Sequence, residues 1–307
     1  MKPFSDAKAT IILTVVIVVS FACSLFFVRK IDDIRGPSLI RETLYISSPS
    51  ALKRMSLGYT GLLADIYWTR AVQYFGSHHR RSAEEYNLLY PFLDITTTLD
   101  PKLIIAYRFG AIFLEEPPPQ GAGQPEKAIE LVKRGIEHNP DDWRLYYDLG
   151  FLQAWKLQDY LAASKTFAAG ARLPNSNPAL KVLAAAYASR GGDLATSRLL
   201  WQSAYETAAN EEIRRNALQH LQSMQADADI TELENLTGQY RLKIGNFPSS
   251  FSDLISAGLL PGVPLDPTGR PYKLVTDGKI QVQDPKALPF ITRGAPPGWQ
   301  YRGSIPQ

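Results

Sequence analysis

Cysteine is almost absent: Cys23 is the one thiol in 307 residues. An intramolecular disulfide framework is therefore excluded, and so is a cysteine-rich zinc or iron–sulfur centre. Histidine is sparse as well, with four in the chain, and no H-E-x-x-H, P-loop or G-x-S-x-G spacing occurs. His78 and His79 are adjacent, so on a helix they point about 100° apart, and no third ligand accompanies them. They read as a solvated basic helix end, and His138 and His220 read as surface residues. Nor is charge of one sign in excess, since 33 basic and 30 acidic residues leave a net charge of +3. A nucleic-acid surface needs a denser Lys/Arg stripe than His78-His79-Arg80-Arg81. No nucleophile stands near a base. The chain is accordingly expected to be no enzyme, with no catalytic residue, cofactor, metal or small-molecule substrate. What it has is 45% hydrophobic and 21% charged residues, enough to bury a core over about two domains.

One long hydrophobic run is present. Residues 9–28, between Lys8 and Arg29, carry no charge. As a helix they would rise about 30 Å, the thickness of a bilayer's hydrocarbon core. The run is too long for a signal-peptide core and lacks a small-x-small cleavage site. Leu25-Phe26-Phe27-Val28 also continues past Cys23, where a lipoprotein tether would be polar. A retained transmembrane helix is expected after a short tail, 1–8. Orientation stays open: Arg29, Lys30, Arg35 and Arg41 outnumber Lys2 and Lys8, which favours a cytoplasmic large domain, whereas a short basic tail before one helix is also how a signal anchor exports its C-terminal mass. The reading leans to export.

Residues 29–58, with Gly36, Pro37 and Pro49, read as a juxtamembrane linker holding one short strand at Thr43–Ile46. From Tyr59 a helical stripe begins, Leu62, Leu63, Ile66, Tyr67, Ala71 and Tyr74. Trp68, Asp65 and Arg70 are either neighbours of this packing stripe or groove residues.

Internal recurrence is the most informative feature of this chain. Ala128, Val132, Gly135 and Pro140 recur thirty-five residues on as Ala163, Phe167 and Gly170, with Pro174 thirty-four after Pro140. Ser197, Trp201 and Ala204 come thirty-four later, and Leu89, Leu93, Thr96 and Pro101 precede the first set by thirty-nine. The excess falls in the loop Glu116–Gln124, whose three consecutive prolines no helix could contain. A second ladder joins Gly110, Gly150 and Ala184. Small residues let two helices approach, a large one fills the gap, and proline stops the second helix. The pattern resembles the tetratricopeptide repeat family over four units, 59–101, 102–140, 141–177 and 178–210. Ser56 to Gly76 is also similar to the opening of uncharacterised bacterial membrane-anchored repeat proteins. The repeat resemblance implies an α-solenoid whose first helices line a groove for a peptide or helix of another protein. Its groove positions here are Tyr107, Leu114, Arg144, Tyr147, Phe151 and Lys181, joined by Trp68. Ile213, Ala217, Leu221 and Met224 would form a capping helix, completing 59–225, and Ile230 to Ile244 a separate one.

After Gly245 proline becomes frequent. A short helix is expected around Ser252–Ala257, then the turn Pro264–Tyr272, where Asp266-Pro267-Thr268-Gly269 supplies turn chemistry. A hairpin, Tyr272–Val275 with Lys279–Val282, closes over Asp277-Gly278. The order Tyr240, Gly245, Phe247-Pro248, Leu254 and Pro-x-Asp-Pro-x-Gly-x-Pro-Tyr resembles the C-terminal half of type II secretion major pseudopilins. Thr268 stands where that family usually has Trp, and the acidic loops that hold calcium there are not evident, because Asp277 and Asp284 are isolated. Residues 226–292 are thus expected to be a small α+β module, and 293–307 a flexible tail. The expected fold class is mainly α: a tetratricopeptide-like solenoid, preceded by one transmembrane helix and followed by that module. The expected function is a scaffold in the bacterial inner membrane, recruiting a protein of an envelope or secretion assembly. The alternative is a structural subunit that docks through the C-terminal module, with the repeats as spacer.

Overall fold

The computed structural model describes residues 4–34, 48–80 and 85–299, with side chains described from residue 14 onward except 28 and 31–34. It is mainly helical, with a small two-stranded sheet. The chain divides into two compact units, Met1–Gly58 and Tyr59–Gln307.

In the first unit, α1 (Phe4–Ile34) contains the whole uncharged run and extends beyond it at both ends. Its described apolar side chains from Val15 to Phe27 stand 50–66% exposed. Among the described residues no helix is long and apolar enough to cross a membrane. The side chains of residues 9–13 and 28, which complete the run, lie outside them. The expected linker is partly helical: α1 continues to Ile34, and α2 (Pro49–Met55) comes next. The Ser48 hydroxyl accepts from the Ala51 amide at 3.3 Å, and Pro49 presets the first turn. The strand expected at Thr43–Ile46 lies outside the described residues.

The second unit opens with helix pairs. These are α3 (Thr60–Arg80) with α4 (Leu89–Leu99), and α5 (Ile104–Glu115) with α6 (Pro125–His138). Then come α7 (Trp143–Phe151) with α8 (Tyr160–Ala171), and α9 (Ala179–Arg190) with α10 (Leu194–Glu206). A π-helical turn, Leu152–Lys156, extends α7. Local chemistry sets the starts: Asp142, Asp159 and Asp193 accept from the amides of Arg144, Ala162 and Thr196 at 2.9–3.0 Å, satisfying donors a helix leaves unpaired. The small and large residues of the repeat ladder are buried, from Leu89, Leu93 and Thr96 to Ser197, Trp201 and Ala204, whereas Pro140 and Pro174 at the helix ends are exposed. On α3 the buried stripe is Ala64, Tyr67, Ala71 and His78, while Leu62 and Ile66 are exposed. Aromatic contact decides this rotation, because Tyr67 and Tyr74 turn towards Phe92 of α4.

In place of the two helices expected after Asn210 there is one, α11 (Glu211–Ile244), 34 residues long. Asn210 caps its start by accepting from Ile213 at 2.9 Å, and Gly245, at φ 93°, ends it in the left-handed conformation. Its first half packs Ala217, Leu221 and Met224 around Trp201. Its second half packs Ala226, Ile230 and Leu233 into a core with Tyr272, Ile280, Val282 and Leu288. The expected boundary at 225/226 therefore falls inside a helix, and Tyr59–Gln307 is one compact unit. The short helix is α12 (Phe251–Ser256), begun by a Ser250/Asp253 capping box. The hairpin is β1 (Lys273–Leu274) antiparallel to β2 (Ile280–Gln281), turned at Asp277 and Gly278, both at positive φ. Asp266 forms its turn by accepting from Thr268 and Arg270 amides at 2.8 and 3.1 Å.

A glycine of the ladder and one of α11 predict opposite effects from one substitution. A Cβ on Gly150 would lie 2.5 Å from the buried Phe167 ring, whereas one on Gly238, inside α11, meets nothing within 4 Å. Gly150→Ala is expected to destabilise by about 1–3 kcal/mol, and Gly238→Ala to stabilise by about 0.5–1 kcal/mol, as read by urea unfolding of the two variants.

Candidate functional site

The first helices of successive pairs touch through side chains. Phe113 of α5 stacks on Trp68 at 6.2 Å and on Phe75 at 4.0 Å, both from α3. Arg108 of α5 grips Asp148 of α7 through two hydrogen bonds, 2.6 and 3.2 Å. Phe151 of α7 meets the edge of Tyr187 of α9 at 6.4 Å. These contacts make a row of first helices, α3, α5, α7 and α9. The inserted loop is held near it: the Pro119 carbonyl lies 3.2 Å from the His79 ring of α3 and accepts from the Tyr86 hydroxyl, between α3 and α4, at 2.6 Å.

The expected site residues divide. Tyr147 and Phe151 lie together, ring centroids 4.7 Å apart. With Trp143 and Trp155 they form a run of rings, one from each turn of α7 and its π extension. Both are half-buried, because they also pack on Phe167. Arg144 is exposed at the start of the same helix, but its guanidinium is bound twice to Asp142, at 2.7 and 2.8 Å. Trp68 is half-buried in the α3–α5 stack. Tyr107 and Leu114 are corrections: both are 0% exposed and cannot meet a partner. They occupy the inner face of α5, with the Tyr107 ring against Gly135 of α6, where burial pushes its phenol up to about 12. Lys181 is apart from the others, donating to Thr207 beyond the end of α10 at 2.8 Å. Sequence spacing places α5's residues in the right turn of the helix but on the wrong side of it.

The exposed stripe of α5 is instead Ile105, Phe109 and Ile112, at 45%, 48% and 50%. Trp155, at 55%, adds an exposed indole to the neighbouring helix. The signal for this stripe is that α5 is apolar on nearly every side, which a helix covered on one face only does not need. Charge on the row is neutralised from within. Besides the Arg108–Asp148 pair, Lys156 reaches Glu116 at 3.3 Å and Glu115 at 3.9 Å. Burial raises the Glu115 carboxyl above its usual range, and Lys156 pulls it back. A cleft of about 330 Å³ opens where α5 begins and α7 succeeds α6, lined by Lys102, Ile104, Asn139, Trp143 and Arg144. Its cations are already engaged, Arg144 as above and Lys102 with the His138 carbonyl.

The histidines differ from expectation. His78 is buried, bonded to the Tyr74 carbonyl at 2.8 Å and packed on the Tyr74 ring. His220 is half-buried, stacked between two aromatic rings. Among the described residues no cluster of His, Cys, Asp or Glu could hold a metal ion. No model of a known protein family matches the chain, and no curated protein is similar to it.

If Trp155 is surface and Phe167 is the packing centre, truncation separates them. Trp155→Ala is expected to change unfolding stability by less than about 1 kcal/mol, and Phe167→Ala to cost about 3–5 kcal/mol, both measured by denaturant titration.

Proposed function

We propose that the chain is a membrane-anchored protein-interaction scaffold of a bacterial envelope. Its helix pairs are read as a tetratricopeptide-like solenoid, and its first-helix row takes an uncharged, apolar or aromatic segment of another protein. One observation carries the reading: Ile105, Phe109 and Ile112 form an exposed apolar stripe on α5, and the neighbouring Arg108 and Lys156 are already paired. A partner helix laid there would be recognised by shape and apolar burial, not by charge. The uncharged run 9–28 supports the anchor, and the pseudopilin-like tail supports a setting among secretion or pilus-like assemblies, with the large part exported.

Two measurements test this. A photo-crosslinking residue at Phe109 or Ile112, in the full chain in its native membrane, is expected to trap a discrete protein adduct that the same probe at Glu212 does not. The adduct should persist as salt rises from about 0.05 to about 0.5 M, since screening weakens charge-driven contacts, and it should disappear with Ile105→Ser in the same chain. Equal labelling at Glu212 would remove the site. Separately, the full chain should stay with the bilayer through an alkaline carbonate wash, and its release would remove the anchor.

A further inference from the structure

His220 of α11 is held between two rings from distant parts of the chain. Trp201 of α10 covers one face at 3.9 Å with the planes 9° apart, and Phe290 covers the other at 3.5 Å and 7°. Phe290 belongs to a strap that runs along one face of α11. Its amide donates to the Ser223 hydroxyl at 3.3 Å. Two residues on, the Thr292 and Arg293 amides both donate to the Asp227 carboxylate at 2.9 Å, and the Thr292 hydroxyl adds a bond at 2.7 Å. Gly294 then lies so close to Ile230 that a Cβ would sit 2.5 Å from its terminal carbon. The anchors 220, 223, 227 and 230 keep the spacing of a single helix face.

We propose that residues 288–294 are an acid-released clasp, closed over α10 and α11 while His220 is neutral and freed when His220 takes up a proton. This does not rest on the interaction reading above.

The chemistry of the sandwich sets the direction. An imidazolium presents two N–H donors, and His220 makes no hydrogen bond or ion pair among the described residues. The charged groups around it are committed or of the wrong sign. Arg198 of α10 binds Gln225, Asp227 of α11 serves the strap, and Asp284 at the strap's start is paired with Arg270. Arg293 of the strap, and Lys286 just before it, add only positive charge. Two ring faces would return about 0.5–2 kcal/mol of cation–π attraction, but both faces lose their hydration under Trp201 and Phe290, and burial lowers the ring's titration to about 4 from the usual 6.5. A histidine whose value is depressed in the closed state favours closure fully above its free value. That preference is lost as pH falls from about 6.5 towards 4. Asp227 acts in the opposite sense, its carboxyl held above the usual range by burial, so variants that leave Asp227 in place isolate the histidine.

The test is hydrogen exchange on the full chain in detergent, tracking the Phe290, Thr292 and Arg293 amides with rates corrected for intrinsic pH dependence. A ring titrating near 4 when clasped and near 6.5 when free shifts the closed-to-open ratio about 30-fold between pH of about 7.5 and about 5. Protection of the three amides in the wild type is expected to fall by that factor. His220→Phe keeps a ring between Trp201 and Phe290 but cannot titrate, so its protection should not fall. Unchanged wild-type protection, or an equal fall in His220→Phe, overturns the clasp. Should His220→Phe not fold, the wild-type ring decides alone by NMR: a His220 midpoint below about 5 supports the clasp, and one between about 6 and 7 overturns it.

Discussion

Phe167 rests in the volume that a side chain on Gly150 would fill, its nearest ring atoms 2.5–2.8 Å from where a Cβ would stand. That exchange of a missing side chain for a ring draws α7 and α8 together, and the same ring stacks on Tyr187 of α9 at 5.4 Å. Three helices are thus fixed by one residue. Gly135 under Tyr107 and Gly170 under Leu180 and Tyr146 repeat the device along the chain. The exposed edge of the first helices depends on it, because α5 and α7 can present a surface only after their inner faces have been taken up.

The polar groups support the same arrangement without competing for it. Ser164 and Ser197 donate to the carbonyls of Ala184 and Ala185 at 2.8 and 2.9 Å, so small buried hydroxyls are satisfied where helices approach. Arg108 and Lys156 span neighbouring first helices instead of reaching outward. What they leave uncovered is hydrocarbon, and that is the chemistry the proposed partner would have to match.

The helix pairs are legible in the sequence because small and large residues recur at fixed spacing, and that spacing is itself the packing rule. The turn at Asp266 and the hairpin at Asp277-Gly278 are legible for a similar reason: short-range hydrogen bonding and positive φ are written locally. The continuity of α11 is not. Nothing between Glu211 and Ile244 breaks a helix except the tolerated Gly238, so the change of packing partner near Gln225 resembles a boundary when only the neighbours change. Tyr107 and Leu114 show the limit for the site. Repeat position fixes the turn of a helix, but α5 is apolar on several sides, and its neighbours decide which side closes. The burial of His220 is unreadable because Phe290, which covers it, lies 70 positions further along the chain.

A single helix of 34 residues rises about 51 Å, and in α11 the stretch from Ala217 to Tyr240 is shared between two hydrophobic clusters with no joint between them. Mechanically it is a rod gripped at two adjoining places. A pull on the hairpin that Thr237 ties to α11 would travel towards Trp201 as axial load on backbone hydrogen bonds, instead of being absorbed by a hinge, so the two clusters would share strain.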